Sequence, residues 1–521
     1  MRKIQIYDTT LRDGSQAEGI DFSLQDKILL TERLDSLGFD FVEGGYPASN
    51  EKDAAFFRQI ADSKLQTTKI TAFGMTRRKG VKPENDEGLR SLLDSAAPII
   101  TIVGKTSAFQ VQEVINATLE ENITMIAETV EFLRLQGRTV FFDAEHFFDG
   151  WKANSEYAIR CLGTAANAGA ETLILCDTNG GSMPEEIAAA IRDVTKNLDH
   201  PLGIHAHNDC GLAVANSLVA VDAGAMQVQG TMNGFGERCG NADLIAVIAN
   251  LLLKKKGQYE LLHENAVVRL TELSRYVYEM LNMHIPLHQP FVGKSAFAHK
   301  GGMHVSGVNR NTSAYEHIAP ELVGNERRVL ISELSGRSNI VAKATKYNIQ
   351  NDEKLMQKIL AEVVAKESQG YQYEAAEGSF DLLVRRLSGT FKPHFQRLNY
   401  HVNVEADENN ALITMGTVKL RVGNFIKHEV DEGEGPVDAL NKALRKALVP
   451  IFPSLEEMKL VDFKVRVINS EAATGARVRV VIESTDGKDL WGTVGVSENV
   501  IEASWEALVE SIEYKLCKEE S

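Results

Sequence analysis

The sequence predicts an α/β protein: a (β/α)8 barrel, then helical linker subdomains and a C-terminal α+β module. Three observations predict it. Short β-branched runs alternate with longer amphipathic stretches over roughly the first 235 residues, which calls for a parallel sheet with helical crossovers. The alternation repeats eight times, which suits a closed barrel better than a doubly wound sheet. Polar residues cluster where the strand candidates end, and barrel chemistry is done at the C-terminal mouth.

The strand candidates are Ile4–Tyr7, Phe39–Glu43, Lys69–Phe73, Ile99–Val103, Thr139–Asp143, Thr172–Cys176, Gly203–His207 and Ala225–Gly230. Between them, Leu24–Leu37, Asn50–Ala61, Val111–Gln136 and Glu156–Ala168 repeat apolar residues at helical spacing. Glu43 then ends the second strand, Glu145 and His146 the fifth, Asp177 and Thr178 the sixth, and His205 and His207 the seventh. Asn233 follows the eighth, and Asp8 and Asp13 complete the ring through the first. Each member has a bland reading: Asp177 or Asn179 as a helix cap, Glu43 as a brace for a loop or for Arg12. The collective pattern does not.

Two stretches carry the chemistry. In LGIHAHND, Leu202–Asp209, His205 and His207 stand two apart, so a strand projects both imidazoles to one side. Two such nitrogens are half of a divalent-metal site. In DTTLRDGSQ, Asp8–Gln16, a carboxylate offers a hard oxygen ligand and Arg12 a planar fork for a substrate carboxylate. Alone, the first reads as a polar loop and the second as a capped turn; paired, they read as a site. Gly234–Asn241, GFGERCGN, allows close approach of backbone to ligand, and its amides suit an anion. It lacks the Lys-Ser/Thr of a nucleotide phosphate loop and opens no dinucleotide unit. Asn241, expected to begin the next helix, offers the metal a neutral oxygen.

At 521 residues the chain calls for two or three domains, assigned to residues 1–265, 266–390 and 391–521. A formal charge of −16 argues against nucleic acid or an anionic membrane as the main partner. No run has the length of a membrane span, and MRKIQIYD enters a strand without a signal peptide. Five unpatterned cysteines, Cys161, Cys176, Cys210, Cys239 and Cys517, fit packed thiols in a reducing cytoplasm.

Beyond the barrel, a helix is expected over Glu260–Met283, broken by Pro286 and Pro290. His299 and His304 lie in a glycine-rich, loop-like stretch where a core placement is poor. LSGRSNI, Leu334–Ile340, begins a helical piece running towards Asn348, and Lys354–Glu367 reads as another helix. After a polar joint around Ser368–Ser379 comes an internal repeat. Strands Asn399–Ala406 and Ala411–Val422 lead to the helix Val437–Ala447; Met458–Asn469, Ala476–Ser484 and Asp489–Val496 lead to Ile501–Leu516.

With DTTLRDGSQ, the Glu ending strand five, HAHND and GxGERxGN in hand, the whole chain resembles the Claisen-condensing acyltransferases. These are the isopropylmalate, homocitrate and citramalate synthases, with the lyases that share their barrel. DTTLRDGSQAEGIDFSLQDK, FVEGGYPASN and LSGRSNI look most like the citramalate branch. The resemblance implies condensation of acetyl-CoA, as co-substrate, with pyruvate, opening a threonine-independent route to isoleucine. Asp13, His205, His207 and Asn241 match the family's ligands for a divalent cation (Mg, Mn or Zn). Arg12 matches the residue facing the keto oxygen, Thr178 the hydroxyl on the 2-oxoacid carboxylate, and Glu145 an acid–base carboxylate. Gln16 is counted with the substrate contacts, and Val103 and Met75 with the keto-acid side-chain pocket. Gly234, Gly236 and Glu237 fall in the loop associated with CoA binding and closure. His304 aligns with a proton-transfer residue of the linker and Tyr315 with another residue there. Two departures stand out: Asp143 where some relatives place a tyrosine, and Ser306 where an Asp often follows the linker His. A homodimer and an isoleucine-sensing C-terminal domain are further implications. An isopropylmalate or homocitrate synthase is the alternative within the chemistry. A hydroxyacyl-thioester lyase would not need the C-terminal module, and a noncatalytic amino-acid sensor would not need the metal set.

Overall fold

In a computed structural model of the protein, residues 1–330, 352–373, 376–406, 412–468 and 476–520 are described. They divide into two units, Met1–Phe297 with Ile318–Glu326, and Ala298–His317 with Arg327–Ser521. In the first unit, strands β1 (Gln5–Asp8), β2 (Phe41–Glu43), β3 (Lys69–Met75), β4 (Ile99–Lys105), β5 (Thr139–Glu145), β6 (Thr172–Asp177), β7 (Leu202–Ala206) and β8 (Gln227–Gly230) form a closed barrel. All pairings are parallel, and β8 returns to β1 with Gly230 opposite Asp8.

Alternation along the strands sends half of their side chains inward. Tyr7, Phe41, Ile99, Phe141, Ile174 and Cys176 fill the interior, with the Phe41 and Phe141 rings edge-to-face at 5.1 Å. Each large apolar side chain buried there contributes about 1.5–3 kcal/mol, so this end is a packed core with no pore. At its upper edge the Tyr7 hydroxyl donates to Glu43 at 2.6 Å and lies 2.8 Å from each of the Thr71 and Thr101 hydroxyls. There the lining turns polar, and the site begins.

Helices α1 (Leu24–Asp35), α2 (Glu51–Ile60), α3 (Glu87–Asp94), α4 (Leu119–Leu135), α5 (Phe147–Ala168), α6 (Pro184–Asn197), α7 (Ala213–Ala223) and α8 (Leu244–Ala249) coat the strands. Three differ from expectation. Val111–Gln136 is two pieces: a π turn over Gln110–Val114, then α4 started by the Thr118 hydroxyl capping Glu121 N–H. Helix α5 begins nine residues before Glu156, because a kink at Asn154 (φ −157°, ψ 84°) interrupts its apolar period. In place of one long helix after Glu260, Tyr259–Glu260 pairs with Arg2–Lys3. The helix α9 (Leu270–Met280) starts only after a left-handed Asn265 and a 3₁₀ turn.

In the second unit, the stretch expected to be loop-like contains α10 (Gly302–Arg310). His299 is buried, contrary to expectation, because Glu316 takes its ring nitrogen at 3.1 Å and Arg327 takes the same carboxylate at 2.6 Å. Helix α11 (Glu353–Ser368) matches the expected one, whereas the polar joint ends early, at α12 (Glu377–Ser388). Leu334–Ile340, Ala411 and Asn469 lie outside the described residues.

The C-terminal repeat is two antiparallel three-stranded sheets, each followed by a helix. The first holds β9 (Gln396–Ala406), β10 (Leu412–Val422) and β11 (Phe425–Gly433), then α13 (Pro436–Leu448). The second holds β12 (Lys459–Val467), β13 (Val478–Thr485) and β14 (Leu490–Ser497), then α14 (Val500–Glu519). Strand β11 was not expected: FIKHEVDEG is too charged to read as a strand, and half of it faces solvent. The helices bury Leu440, Leu444, Trp505 and Leu508 in one core shared by the halves. Among the described residues, no helix is long and apolar enough to cross a membrane.

Candidate active site

Strand β7 ends by aiming both imidazoles at the loop after β1. The Nε2 atoms of His205 and His207 lie 3.3 Å apart, and Asp13 Oδ2 lies 3.1 and 3.9 Å from them. All three side chains are buried. Burial opposes ionisation of Asp13, but Arg12, then His205 and His207, hold its carboxyl well below the usual carboxylate range. Burial lowers His205 less than the Asp13 hydrogen bond and charge raise it, so its ring nitrogen rises. Burial, then the His205 charge, pushes His207 down to about 4, leaving a lone pair available.

Asn241 lies beside His207, on the loop after β8. It does not begin the helix, which Asp243 caps; instead it forms a bridge with His207, and its neighbours bond to the end of β7. Its amide nitrogen donates to Phe235 O at 3.2 Å, while the buried Oδ1 has no hydrogen-bond partner among the described residues. An orphaned buried oxygen costs about 1–3 kcal/mol. One carboxylate and two imidazoles, their ligand atoms within 4.8 Å of one another, therefore fit a divalent cation, and the unpartnered Asn241 oxygen is a further donor of the same kind.

Arg12 is aimed at the same corner. Its Nε donates to Glu43 at 2.6 Å, its guanidinium lies 3.9 Å from the Phe73 ring centroid, and a terminal nitrogen lies 3.6 Å from Asp13. Glu43 also accepts from Tyr7 and Thr9, so it is a brace for Arg12, as its bland reading held. Thr178 accepts the His146 N–H at 2.8 Å, leaving its own proton to donate. His146 holds φ 56°, a left-handed backbone rare outside glycine and common at functional turns. Glu145 is ion-paired with Lys105.

Arg12, Asp13, Gln16, Met75, Val103, Glu145, Thr178, His205, His207 and Glu237 all line one cleft of about 290 Å³, with Phe73, Asp143 and Cys176. Asp143 is buried and pushed up to about 7 by that burial. Other members of the expected ring turn elsewhere. Asp8 accepts from Thr10, Asp177 from Ser182, and Asn233 bonds to Ser274 and Gln289. Arg238 pairs with Asp209 at 2.8 Å rather than closely with Glu237, which lies 3.9 Å away. His304 and Tyr315 belong to the second unit, where their rings stack at 4.2 Å.

Sequence reasoning missed Gln229. Its Oε1 lies 2.9 Å from His205 Nδ1, and its Nε2 donates to Asp143 at 3.1 Å. A polar residue alternating inward in MQVQG, Met226–Gly230, was the available signal.

Fold and site together define a metal-dependent enzyme of the (β/α)8 class. Residues 3–277 match the HMGL-like family, residues 291–370 the homocitrate synthase post-HMGL domain-like family, and residues 374–516 the LeuA allosteric (dimerisation) domain. The chain is 50% identical to the (R)-citramalate synthase of Geobacter sulfurreducens, covering 100% of this chain and 99% of that one. It is 49% identical to that of Aquifex aeolicus (99% and 98%) and 30% identical to a probable 2-isopropylmalate synthase of Methanopyrus kandleri (98% and 98%). The chain belongs to the isopropylmalate/homocitrate/citramalate synthase family, in its citramalate synthase branch.

Proposed function

We propose that this chain condenses acetyl-CoA with pyruvate and hydrolyses the thioester, releasing (R)-citramalate and CoA, as the first step of a threonine-independent isoleucine pathway. The observation that carries this reading is end-to-end identity near one half to relatives named for that product, against 30% to one named for isopropylmalate. Residues 1–265 form the catalytic barrel, 266–390 the linker and lid, and 391–521 the regulatory domain of a cytoplasmic homodimer.

Asp13, His205, His207 and Asn241 hold the divalent cation, which when bound polarises the keto carbonyl. Arg12, fixed by Glu43 and Phe73, stabilises the negative charge that develops on the keto oxygen. Thr178 and Gln16 orient the keto-acid carboxylate. Glu145 handles protons beside the substrates, and His304, with Tyr315, transfers a proton between the acetyl methyl and solvent. Met75 and Val103 bound the side-chain pocket, and Asp143 adds a polar wall that disfavours a longer apolar side chain. Gly234, Gly236 and Glu237 meet the CoA thioester. A neighbouring cleft of about 490 Å³ shares Tyr46, Met75, Val103 and Glu145 with the first, and Arg78 and Lys79 also line it. It gives the CoA arm a way out.

Steady-state assays of metal-stripped and metal-restored enzyme with acetyl-CoA and a panel of 2-oxoacids test this. Pyruvate should lead 2-oxoisovalerate by about 10-fold or more in kcat/KM, and only with metal. Preference for 2-oxoisovalerate would make it an isopropylmalate synthase. No turnover with any 2-oxoacid, alongside retained amino-acid binding, would make it a noncatalytic sensor.

A further inference from the structure

A second group of metal-type donors lies in the C-terminal module, remote in sequence from every residue given a catalytic role. His394 sits in the segment between α12 and β9. Glu513 and Cys517 sit one turn apart on α14, and Glu520 follows at the end of that helix. Spacings of four and three residues put all three helical side chains on one face. The ligating atoms of His394, Glu513 and Cys517 lie within 4.8 Å of one another. Glu513 Oε2 is 2.7 Å from His394 Nδ1, and Glu520 Oε1 is 3.3 Å from His394 Nε2. Glu513 and Cys517 are 2% and 4% exposed.

An ion pair explains part of this. Glu513 also accepts the His394 backbone N–H at 3.1 and 3.3 Å, so it anchors the chain where β9 begins. The Cys517 thiol adds a soft donor at the same point, and Glu520 holds the other ring nitrogen. Imidazole, carboxylate and thiol together make the donor set of a metal centre. Tetrahedral zinc with bonds of about 2.0–2.3 Å separates its ligands by roughly 3.3–3.8 Å, so the 2.7 Å Glu513–His394 contact opens slightly while the thiol closes by up to about an ångström. Sulfur selects a borderline-soft ion over Mg²⁺, in contrast to the nitrogen–oxygen set of the barrel. A carboxylate hydrogen-bonded to the far nitrogen of a ligating imidazole is the usual outer support of such a centre.

We propose that His394, Glu513 and Cys517 form a second, zinc-type site that ties the C-terminal helix α14 to the start of β9, with Glu520 on the far ring nitrogen of His394 as its outer support. The consequence is a staple on the module independent of catalysis. Binding displaces to solvent the thiol proton of Cys517 and the proton that His394 Nδ1 shares with Glu513, whose hydrogen bond the metal replaces.

The test uses metal-stripped full-length protein titrated with Cd²⁺, followed by the ultraviolet cadmium–thiolate absorption. Cys176 lines the barrel cleft and Cys210 and Cys239 are exposed, so the informative quantity is the difference between wild type and variants. One equivalent of thiolate absorption should be lost in Cys517→Ser, and its Cd²⁺ affinity should fall about 10–100-fold or more in His394→Gln. In a His207→Ala background, Zn²⁺ should still raise the thermal midpoint, and adding Cys517→Ser should remove that rise. His394→Gln keeps the test decisive if Cys517→Ser folds poorly. Identical titrations in wild type and both variants, or no stabilisation by Zn²⁺ once His207 is replaced, would overturn the site.

Discussion

Arg12 illustrates how a charged side chain is made directional. Glu43 fixes one edge of its guanidinium, Phe73 covers one face, and the remaining nitrogens turn toward Asp13. Lysine keeps the charge but loses both the fork and the stacking face. Arg12→Lys should therefore lower turnover by about 10²–10³-fold, the loss typical of one oxyanion-stabilising donor, with a thermal midpoint near wild type. Near-normal turnover in the folded variant would refute the role. Gln229 acts one step further out, holding His205 through Nδ1 so that Nε2 faces Asp13. Gln229→Leu should weaken metal binding by about 10–100-fold, as calorimetric titration reads directly, while circular dichroism stays unchanged.

At the level of elements, the loop after β8 owes its shape to glycine. Gly236 holds φ 151°, and a Cβ there would come within 2.1 Å of Asn241 Nδ2; one on Gly240 (φ 87°) would meet Gly234 O at 2.0 Å. The loop's glycines thus serve first to set Asn241 against the end of β7. Gly236→Ala should displace that amide, weaken metal binding and leave the barrel folded; unaltered metal affinity would free Asn241 from the ligand set. The end of α1 offers a pH-dependent case. Burial disfavours the Asp35 carboxylate, but backbone N–H groups of Gln66, Thr68 and Thr67 outweigh it and hold its pKa low. A depressed folded value stabilises above the unfolded pKa of about 3.9 and is lost as pH falls below it. Asp35→Asn should lower the thermal midpoint at pH 7, and the gap from wild type should close as pH drops below about 4. A gap unchanged with pH would remove the charge from the explanation.

For the whole molecule, the C-terminal module is the part that matches the LeuA allosteric (dimerisation) domain, over residues 374–516. Its sheets leave Phe425, Val430, Val461, Val465 and Val467 exposed, apolar side chains of the kind that a partner surface covers. This supports the homodimer. Isoleucine binding to residues 391–521 of the full chain should lower activity without occupying the keto-acid pocket. Coupling between two sites is reciprocal, so saturating pyruvate should weaken isoleucine binding by the same factor. Calorimetry with and without pyruvate, beside inhibition kinetics, measures both. If no branched amino acid binds and none inhibits, the module serves assembly alone.

Periodicity by itself determined the barrel, its eight strands to within a few residues, and the paired imidazoles of β7. A period of two and a period of 3.6 are written locally, and a His-x-His on a strand has one geometric outcome. Asp13 and Arg12 were legible because they follow a strand end, where a barrel collects its chemistry. Local pattern said less where a single residue redirects the chain, as Asn154 does in α5 and Asn265 before α9, or where charge masks a strand, as in β11. Only tertiary structure decided the partners. Glu43 reaches Arg12 across 31 positions, Gln229 reaches Asp143 across 86, and His394 meets Glu513 across 119. Those meetings depend on the register at which the barrel closes and on which helix face packs against which strand. Both are set by burial summed over the whole core, which no short stretch of sequence contains.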